Sequence, residues 1–204
     1  MAGLYSSVLL FGAPGVGKGT QGELLGRIPG FVHMASGDIF RALEKDSALG
    51  RKFHEYSSKG LLVPDEITIE VWRDHVRRRV EDGSYRPDVE LLVLDGIPRN
   101  TVQCAALDAY IDVLSVVHLK APDIDAMVDR LKKRATRQGR TDDADESVIR
   151  RRFEVYDQET SPVLGYYDAK LLHEVDAVGL PAEVLMHVLK TIVPVYARRF
   201  GNPL

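Results

Sequence analysis

Gly12-Ala13-Pro14-Gly15-Val16-Gly17-Lys18-Gly19-Thr20 is the stretch of this sequence that decides its fold. It lies between a short apolar run, residues 8–11, and a helical pattern that begins near Thr20. Glycines in such a turn let consecutive backbone N–H groups point toward one anion, and the N-terminus of the following helix adds partial positive charge. Lys18 stands where its ammonium group can reach the outer phosphates of a nucleotide. The stretch therefore predicts a phosphate-binding loop between a first strand and a first helix.

A departure from the general pattern of such loops identifies a second position of interest. Gly19 follows the lysine directly, where a Ser or Thr is usual, so the hydroxyl expected near Mg²⁺ is that of Thr20. Further along, the apolar run 91–94 ends in Asp95. In a parallel sheet this end lies beside the loop of the first strand, where a carboxylate can orient the water shell of a nucleotide-bound Mg²⁺. An aspartate that only caps the next turn is the alternative, and the neighbouring loop favours the metal role.

The rest of the chain alternates short apolar runs with longer helical patterns, which is typical of a parallel sheet covered by helices. Strands are predicted over residues 8–11, 31–34, 91–94, 113–119 and 171–175. Helices are predicted over residues 66–80, 101–111, 124–134, 147–156 and 182–193. The segment 135–144 is polar, contains glycine and lacks periodicity, so it is predicted to be an arginine-rich loop.

Composition excludes several classes of protein. The 204 residues, 45% hydrophobic and 28% charged, describe one globular domain, and the net charge of -3 argues against a general nucleic-acid or acidic-membrane binder. Cys104 is the only cysteine, so neither an internal disulfide nor a thiolate zinc site is expected. The run 8–11 is too short for a signal-peptide core, which leads us to expect a cytoplasmic protein without a membrane anchor. The six histidines show no partner pattern and are interpreted as structural or surface residues.

Over essentially its whole length the sequence resembles the adenylate kinase family. The loop 12–20 is similar to the family's G-x-P-G-x-G-K-G-T. Ser36-Gly37-Asp38-Ile39-Phe40-Arg41 and Gly60-Leu61-Leu62-Val63-Pro64-Asp65-Glu66 resemble the two halves of its monophosphate site. Asp95-Gly96-Ile97-Pro98-Arg99 resembles its D-G-F-P-R signature, with Ile97 replacing the aromatic residue that packs beneath the acceptor. Gly139-Arg140-Thr141-Asp142-Asp143 resembles the G-R-x-D-D of its lid.

The resemblance implies a fold and an activity. The fold is a P-loop NTPase-type parallel five-stranded sheet with helices on both faces, a single domain over residues 1–204. Within it, residues 36–65 form a monophosphate-binding insertion and residues 135–143 a short lid without structural zinc, and both are expected to close over substrate. The activity is the reversible, Mg²⁺-dependent transfer of a phosphoryl group from ATP to AMP, giving two ADP. A monomer is expected.

The resemblance also implies the site residues. ATP binding is assigned to Gly15, Val16, Gly17, Lys18, Gly19, Thr20, Arg130, Arg134 and Gly179. AMP binding is assigned to Ser36, Arg41, Leu61, Leu62, Val63, Gly96, Ile97, Pro98, Arg99, Gln103, Arg140 and Arg152. Catalysis is assigned to Lys18, Arg99, Arg134, Arg140 and Arg152. The nucleotide-borne Mg²⁺ is assigned, through water, to Thr20 and Asp95.

The number of arginines in these sets has a physical reason. Bringing two polyphosphates together opposes several negative charges, and the migrating phosphoryl group spreads further charge over its oxygens. Arginine binds phosphate oxygens in pairs and keeps its charge. Arg130 and Arg134 are four residues apart, so one helix face can present both. In the run 150–152 at most two arginines can face one site; alignment with the family's R-L-x-x-Y selects Arg152, with Arg151 as the alternative.

Three other functions are weighed against AMP phosphorylation. A UMP/CMP kinase would use the same loop and arginines; Asn100 after Arg99 resembles those enzymes, and Ser36 stands where adenylate kinases commonly have threonine. Gln103 favours AMP, because its amide can pair with adenine. A non-catalytic ATP-binding module would have little need for arginines on the acceptor side. A small-metabolite kinase would lack the monophosphate segment.

Overall fold

The five strands form one parallel sheet, whose order is β2-β3-β1-β4-β5. In a computed structural model the described residues are 4–121, 123–140, 143 and 145–201. The strands are β1 (Tyr5–Phe11), β2 (Phe31–Ala35), β3 (Leu91–Asp95), β4 (Ile111–Lys120) and β5 (Leu172–Asp176). Leu91, Leu92, Val93 and Leu94 are all fully buried, as expected for a strand covered on both faces. The predicted fold class is confirmed.

The helices lie between and around the strands. They are α1 (Lys18–Leu25), α2 (Ser36–Arg41), α3 (Ala48–Ser57), α4 (Asp65–Glu81), α5 (Thr101–Leu107), α6 (Ile124–Gln138), α7 (Glu146–Val155) and α8 (Pro181–Phe200). A π-helical turn, Tyr156–Thr160, and two 3₁₀ turns, Ser161–Gly165 and Ala169–Leu171, connect α7 to β5. None of the helices in the described residues is both long and apolar enough to cross a membrane.

Alternate residues of β1 divide the core into two layers. Val8 and Leu10 belong to the cluster packed under α1, α6, α7 and α8. Leu9 and Phe11 belong to the cluster packed under α4 and α5. Successive side chains of a strand point to opposite faces, so one apolar run supplies both layers. Each face of the sheet is therefore covered by helices, and the loops lie at its carboxyl edge.

Three expectations about the elements were wrong in part. Residues 135–138, predicted as loop, continue α6, because Ala135 is buried one turn after Leu131 and Gly139, at φ 62°, ends the helix in the left-handed conformation. The helix predicted to reach residue 111 ends at Leu107, since Ile111 pairs with Tyr5 in the sheet. The helix predicted to end at residue 193 runs through Pro194 to Phe200, with Val195 buried against the core.

Candidate active site

A cleft of about 630 Å³ lies at the carboxyl edge of the sheet. Its volume is within the range of natural ligand sites. It is lined by residues of the loop 12–20, α2 and α6, together with residues 60–63 and 95–99. Ligands of open α/β sheets bind at this edge.

The loop 12–20 has the conformation that a phosphate cradle needs. Gly15 and Gly17 have φ values of 79° and 116°, which L side chains rarely adopt. A Cβ added at Gly15 would lie 2.8 Å from the backbone oxygen of Met127. The Lys18 ammonium group donates to the carbonyl oxygens of Gly12 at 2.6 Å and Ala13 at 3.1 Å. Lys18 also begins α1, so the positive end of that helix faces the loop.

Lys18 lies among positive charges. Burial lowers the pKa of this lysine to about 8, Asp95 opposes the change, and Arg99, Arg152 and Arg134 lower it further. The fold therefore brings the charges of residues distant in the chain close to the Lys18 ammonium group. Such crowding of cations is stabilised when an anion binds between them.

Asp95 lies beside the phosphate-binding loop because of the register of the sheet. Leu10 of β1 pairs with Asp95 of β3, and Asp95 Oδ2 lies 3.7 Å from the Cβ that Gly19 lacks. His33 Nε2, on β2, is 3.9 Å from the same oxygen. Burial acts to raise the pKa of Asp95, but His33, Lys18 and Arg99 together hold it below its usual range. The carboxylate is thus ionised next to the loop.

A buried carboxylate holds two of the arginines. Asp143 is 0% exposed. Its Oδ2 accepts from Arg134 Nε at 2.9 Å and Nη2 at 2.5 Å, and its Oδ1 accepts from Arg152 Nη1. Arg134 belongs to α6 and Arg152 to α7, so Asp143 joins the two helices and fixes both guanidinium groups in the cleft.

A second carboxylate, Asp38 of α2, interacts with two arginines that line the cleft. Its Oδ1 accepts from Arg41 Nη2 at 2.5 Å and from Arg140 Nη2 at 3.3 Å. Burial, together with Arg134 and Arg41, lowers the pKa of the Arg140 guanidinium. Arg140 follows α6 closely in the chain, so this contact links the predicted lid to the predicted monophosphate insertion.

The segment 95–103 contributes several residues to the lining of the cleft. Ser36 Oγ and Arg99 Nε both donate to the carbonyl oxygen of Gly96, at 2.6 and 2.7 Å. Gln103 is 1% exposed and lines the cleft. Asn100 Oδ1 accepts from the backbone N–H of Gln103 at 2.8 Å and so caps α5.

The structure brings nearly all the predicted site residues together. The residues that line the cleft are Gly15, Val16, Gly17, Lys18, Gly19, Thr20, Ser36, Arg41, Leu61, Leu62, Val63, Asp95, Gly96, Pro98, Arg99, Gln103, Arg130, Arg134, Arg140, Arg152 and Gly179. Ile97 instead is 2% exposed and packs in the core beneath them. Arg151 pairs with Glu154 on the outer surface of α7. Thr141 and Asp142 of the lid motif lie outside the described residues.

Four residues were missed as parts of the site. They are His33, Asp38, Asp65 and Asp143, which contact the predicted residues. The three aspartates all lie inside the sequence motifs; Asp38 and Asp65 contact residues distant in the chain, and Asp143 contacts arginines nine residues away on either side. The sequence signal that could have identified these aspartates is a carboxylate inside a motif that also carries site residues.

Fold and cleft together define a P-loop nucleoside monophosphate kinase, in which the loop 12–20 and several arginines line one cleft. The adenylate kinase family model matches residues 10–172. The chain is 42% identical over 178 residues to the adenylate kinase of Kocuria rhizophila, covering 84% of this chain and 90% of that one. It is 36% identical over 189 residues to that of Thermus thermophilus, covering 89% and 94%, and 34% identical over 193 residues to that of Flavobacterium psychrophilum, covering 91% and 97%. The chain belongs to the adenylate kinase family.

Proposed function

We propose that this chain transfers the terminal phosphoryl group of Mg-ATP to AMP, reversibly, giving two ADP. The observation that carries the proposal is one cleft lined both by the loop 12–20 and by arginines from several elements of the fold. Bringing two phosphate-bearing ligands together in one cleft opposes several negative charges, and these cations can offset that repulsion. The relatives named above are adenylate kinases, which supports AMP as the acceptor.

On the donor side, Gly15, Val16, Gly17 and Gly19 offer backbone N–H groups to the β- and γ-phosphates of ATP. Lys18 would leave its two carbonyl partners, Gly12 and Ala13, for the outer phosphates. Arg130 contributes to the adenine side of ATP and Arg134 to the phosphates. Gly179 lies in the cleft wall near α8 and leaves room for the base.

On the acceptor side, we assign the AMP phosphate to Arg41, Arg99, Arg140 and Arg152. Asp38 satisfies Arg41 and Arg140 before substrate arrives and is displaced by the phosphate. The base lies against Ser36, Leu61, Leu62, Val63 and the turn Gly96, Ile97 and Pro98, with Gln103 hydrogen-bonded to its edge. Ile97 acts by packing from below, since its side chain lies in the core.

The chemistry needs electrostatic stabilisation and no dedicated base. The second pKa of a phosphate monoester is about 6, so the attacking oxygen is already ionised at neutral pH. Lys18, Arg99, Arg134, Arg140 and Arg152 surround the migrating phosphoryl group and stabilise its charge in the transition state. Closure of residues 36–65 and 135–143 would exclude water, which competes as an acceptor.

Mg²⁺ would arrive with ATP and supply neutralisation of the β- and γ-phosphate charge. The residues fit this: the ionised Asp95 beside Gly19 can accept from metal-bound water, and Thr20 lines the same side of the cleft. Within the described residues no three His, Cys, Asp or Glu side chains cluster to hold a metal. One carboxylate and one hydroxyl suit an ion whose other ligands are phosphates and waters. We further propose that the chain works as a cytoplasmic monomer.

A UMP/CMP kinase is the second candidate. Of the two residues that support it in the sequence, Asn100 has a structural explanation, because this side chain caps α5 and donates to Asp65, and Ser36 donates to the carbonyl oxygen of Gly96. Gln103, which supports AMP, lines the cleft. ADP formation from Mg-ATP with AMP, CMP or UMP compares the two directly, and AMP is expected to be the preferred acceptor.

Gln103→Leu tests how the base is read. Loss of the amide leaves a base edge without its partner, so the KM for AMP should rise about tenfold while the KM for ATP changes little. Gln158→Leu makes the same chemical change on the surface and should behave as wild type. The unfolding midpoint is measured in parallel, since Gln103 also bonds within the protein. Preference of the wild type for UMP or CMP, or an unchanged KM for AMP in the variant, would contradict the proposal.

A further inference from the structure

The carboxamide of Gln103 lies between two groups of fixed polarity. Its Oε1 accepts from the backbone N–H of Arg99 at 2.8 Å, and its Nε2 donates to Asp65 Oδ1 at 2.7 Å. A backbone N–H can only donate and a carboxylate can only accept. The orientation of an amide is inferred from such partners, and here both partners require the same one. Because the side chain is 1% exposed, water does not compensate for the reverse orientation.

The carboxylate that imposes this orientation is itself held. Asp65 is the first residue of α4, and its Oδ1 also accepts from Asn100 Nδ2 at 2.9 Å. Asn100 cannot reverse its own amide without losing the cap on α5, where its Oδ1 accepts from the Gln103 backbone. Three side chains at the starts of two helices therefore form one network with a single arrangement of donors and acceptors.

Gln103 keeps capacity for a ligand in this arrangement. A carboxamide has two N–H donors and an oxygen with two lone pairs, and the two internal bonds use one of each. The remaining acceptor and donor stand in a fixed order toward the cleft. A 6-aminopurine edge, an amino donor beside a ring-nitrogen acceptor, matches that order. A 6-oxopurine edge presents an acceptor beside an N–H donor, which is the reverse.

We propose that Asp65 is a specificity-determining residue, which locks the Gln103 carboxamide so that the acceptor site takes a 6-aminopurine and rejects a 6-oxopurine. This inference rests on the proposed function, in which Gln103 meets the acceptor base. With a 6-oxopurine bound, the Gln103 carboxamide can keep its orientation or reverse it. Either orientation brings two acceptors together and two donors together. With the amide locked, oxygen faces oxygen and N–H faces N–H at the base. With the amide reversed, Nε2 faces the Arg99 N–H and Oε1 faces the Asp65 carboxylate.

The test compares kcat/KM for AMP and for IMP at saturating Mg-ATP. Asp65→Ala removes the acceptor, so the AMP:IMP ratio should fall about tenfold, the effect of one hydrogen bond to a charged group. Asp65→Asn retains an oxygen that can accept from both amides, and its ratio should stay within about threefold of wild type. Asp65→Ser keeps a polar residue at the start of α4 without the acceptor-only group, and replaces Asp65→Ala if that variant is unstable.

Asn100→Ser is the matched control. It keeps an oxygen to cap α5 but removes one bond to Asp65, leaving the bond between Asp65 and Gln103. Its ratio should stay within about twofold of wild type. A fall as large as that of Asp65→Ala would mean that loosening the start of α4 and α5 causes the effect, and would overturn the proposal.

The remaining outcomes separate the inference from the proposed function. If Asp65→Ala lowers kcat/KM for AMP and IMP by the same factor, Asp65 is only structural and the inference is wrong, while AMP kinase activity stands. If the wild type uses AMP and IMP equally, or Gln103→Leu leaves the ratio unchanged, Gln103 does not read the base. The assignment of Gln103 under the proposed function then fails together with the lock.

Discussion

Lys18, which we propose binds the outer phosphates of ATP, lies in an environment that disfavours its charge. Its pKa is lowered to about 8 by burial and by three arginines, with Asp95 opposing. Bound phosphates reverse the balance of charge, so the pKa of Lys18 rises in the complex. Binding of ATP above pH 8 must therefore take up a proton.

The expected result is a pH-dependent affinity for ATP. Well below pH 8 the lysine is charged in both states, so its titration leaves the Kd unchanged. Above pH 8 the free protein loses the proton that the complex keeps, so Kd should rise toward tenfold per pH unit. Calorimetry in two buffers of different ionisation enthalpy measures both Kd and proton uptake.

Lys18→Met is the control, because it removes the titrating group and keeps a long apolar side chain. Its Kd should be weaker and should lose the rise above pH 8. Its rate of phosphoryl transfer should fall on the order of a thousandfold, since a cation that acts in the transition state is lost. A folded variant with the wild-type pH profile would show that another group titrates.

At the scale of the elements, Asp143 connects α6 to α7 through Arg134 and Arg152. Asp143→Ala leaves two guanidinium groups close together without their carboxylate. Breaking a buried ion pair in this way should lower the free energy of unfolding by about 3 kcal/mol. The rate should fall as well, because both arginines lose their fixed direction. Urea unfolding and steady-state kinetics measure the two effects.

Glu154→Ala is the matched change on the outer face of α7. Glu154 pairs with Arg151, but the two side chains are 57% and 48% exposed. An exposed pair of this kind contributes little, so the free energy of unfolding should change by less than about 0.5 kcal/mol. Equal effects of the two substitutions would contradict a connecting role for Asp143.

The sequence predicts the elements best where burial alone decides them. The strands were found because apolar runs such as that of β3 are covered on both faces. Helices α2 and α3 were not predicted: α2 has only six residues, and the one buried residue of α3 is Gly50, so no buried apolar run marks that segment. The predicted end of α5 was wrong because Ile111 pairs with Tyr5 in the sheet. This pairing joins distant parts of the chain, so no local sequence pattern indicates it.

The same distinction applies to the site. The loop 12–20 and the arginines stand in motifs, so their convergence on one cleft could be predicted. Their carboxylate partners could not, since Asp38 meets Arg140 across 102 residues and Asp65 meets Gln103 across 38. Pair contacts between distant segments depend on the packed fold.

For the whole molecule, the continuity of the cleft sets the strongest expectation. A ligand of two adenosines joined by five phosphates should occupy both nucleotide sites of one molecule and inhibit competitively against both ATP and AMP. Joining the two halves makes the second binding event intramolecular, so affinity should greatly exceed that of either nucleotide. At a ligand concentration about a thousand times Kd, the stabilisation is about 4 kcal/mol. For a chain of this size that raises the unfolding midpoint by about 10 °C.

Two adenosines joined by only two phosphates cannot span the sites and should bind like a single nucleotide. Inhibition kinetics and thermal unfolding with both ligands provide the comparison. If the five-phosphate ligand binds no more tightly than ATP, the arginine side of the cleft is not a second nucleotide site, and the chain binds ATP without transferring phosphate to AMP there.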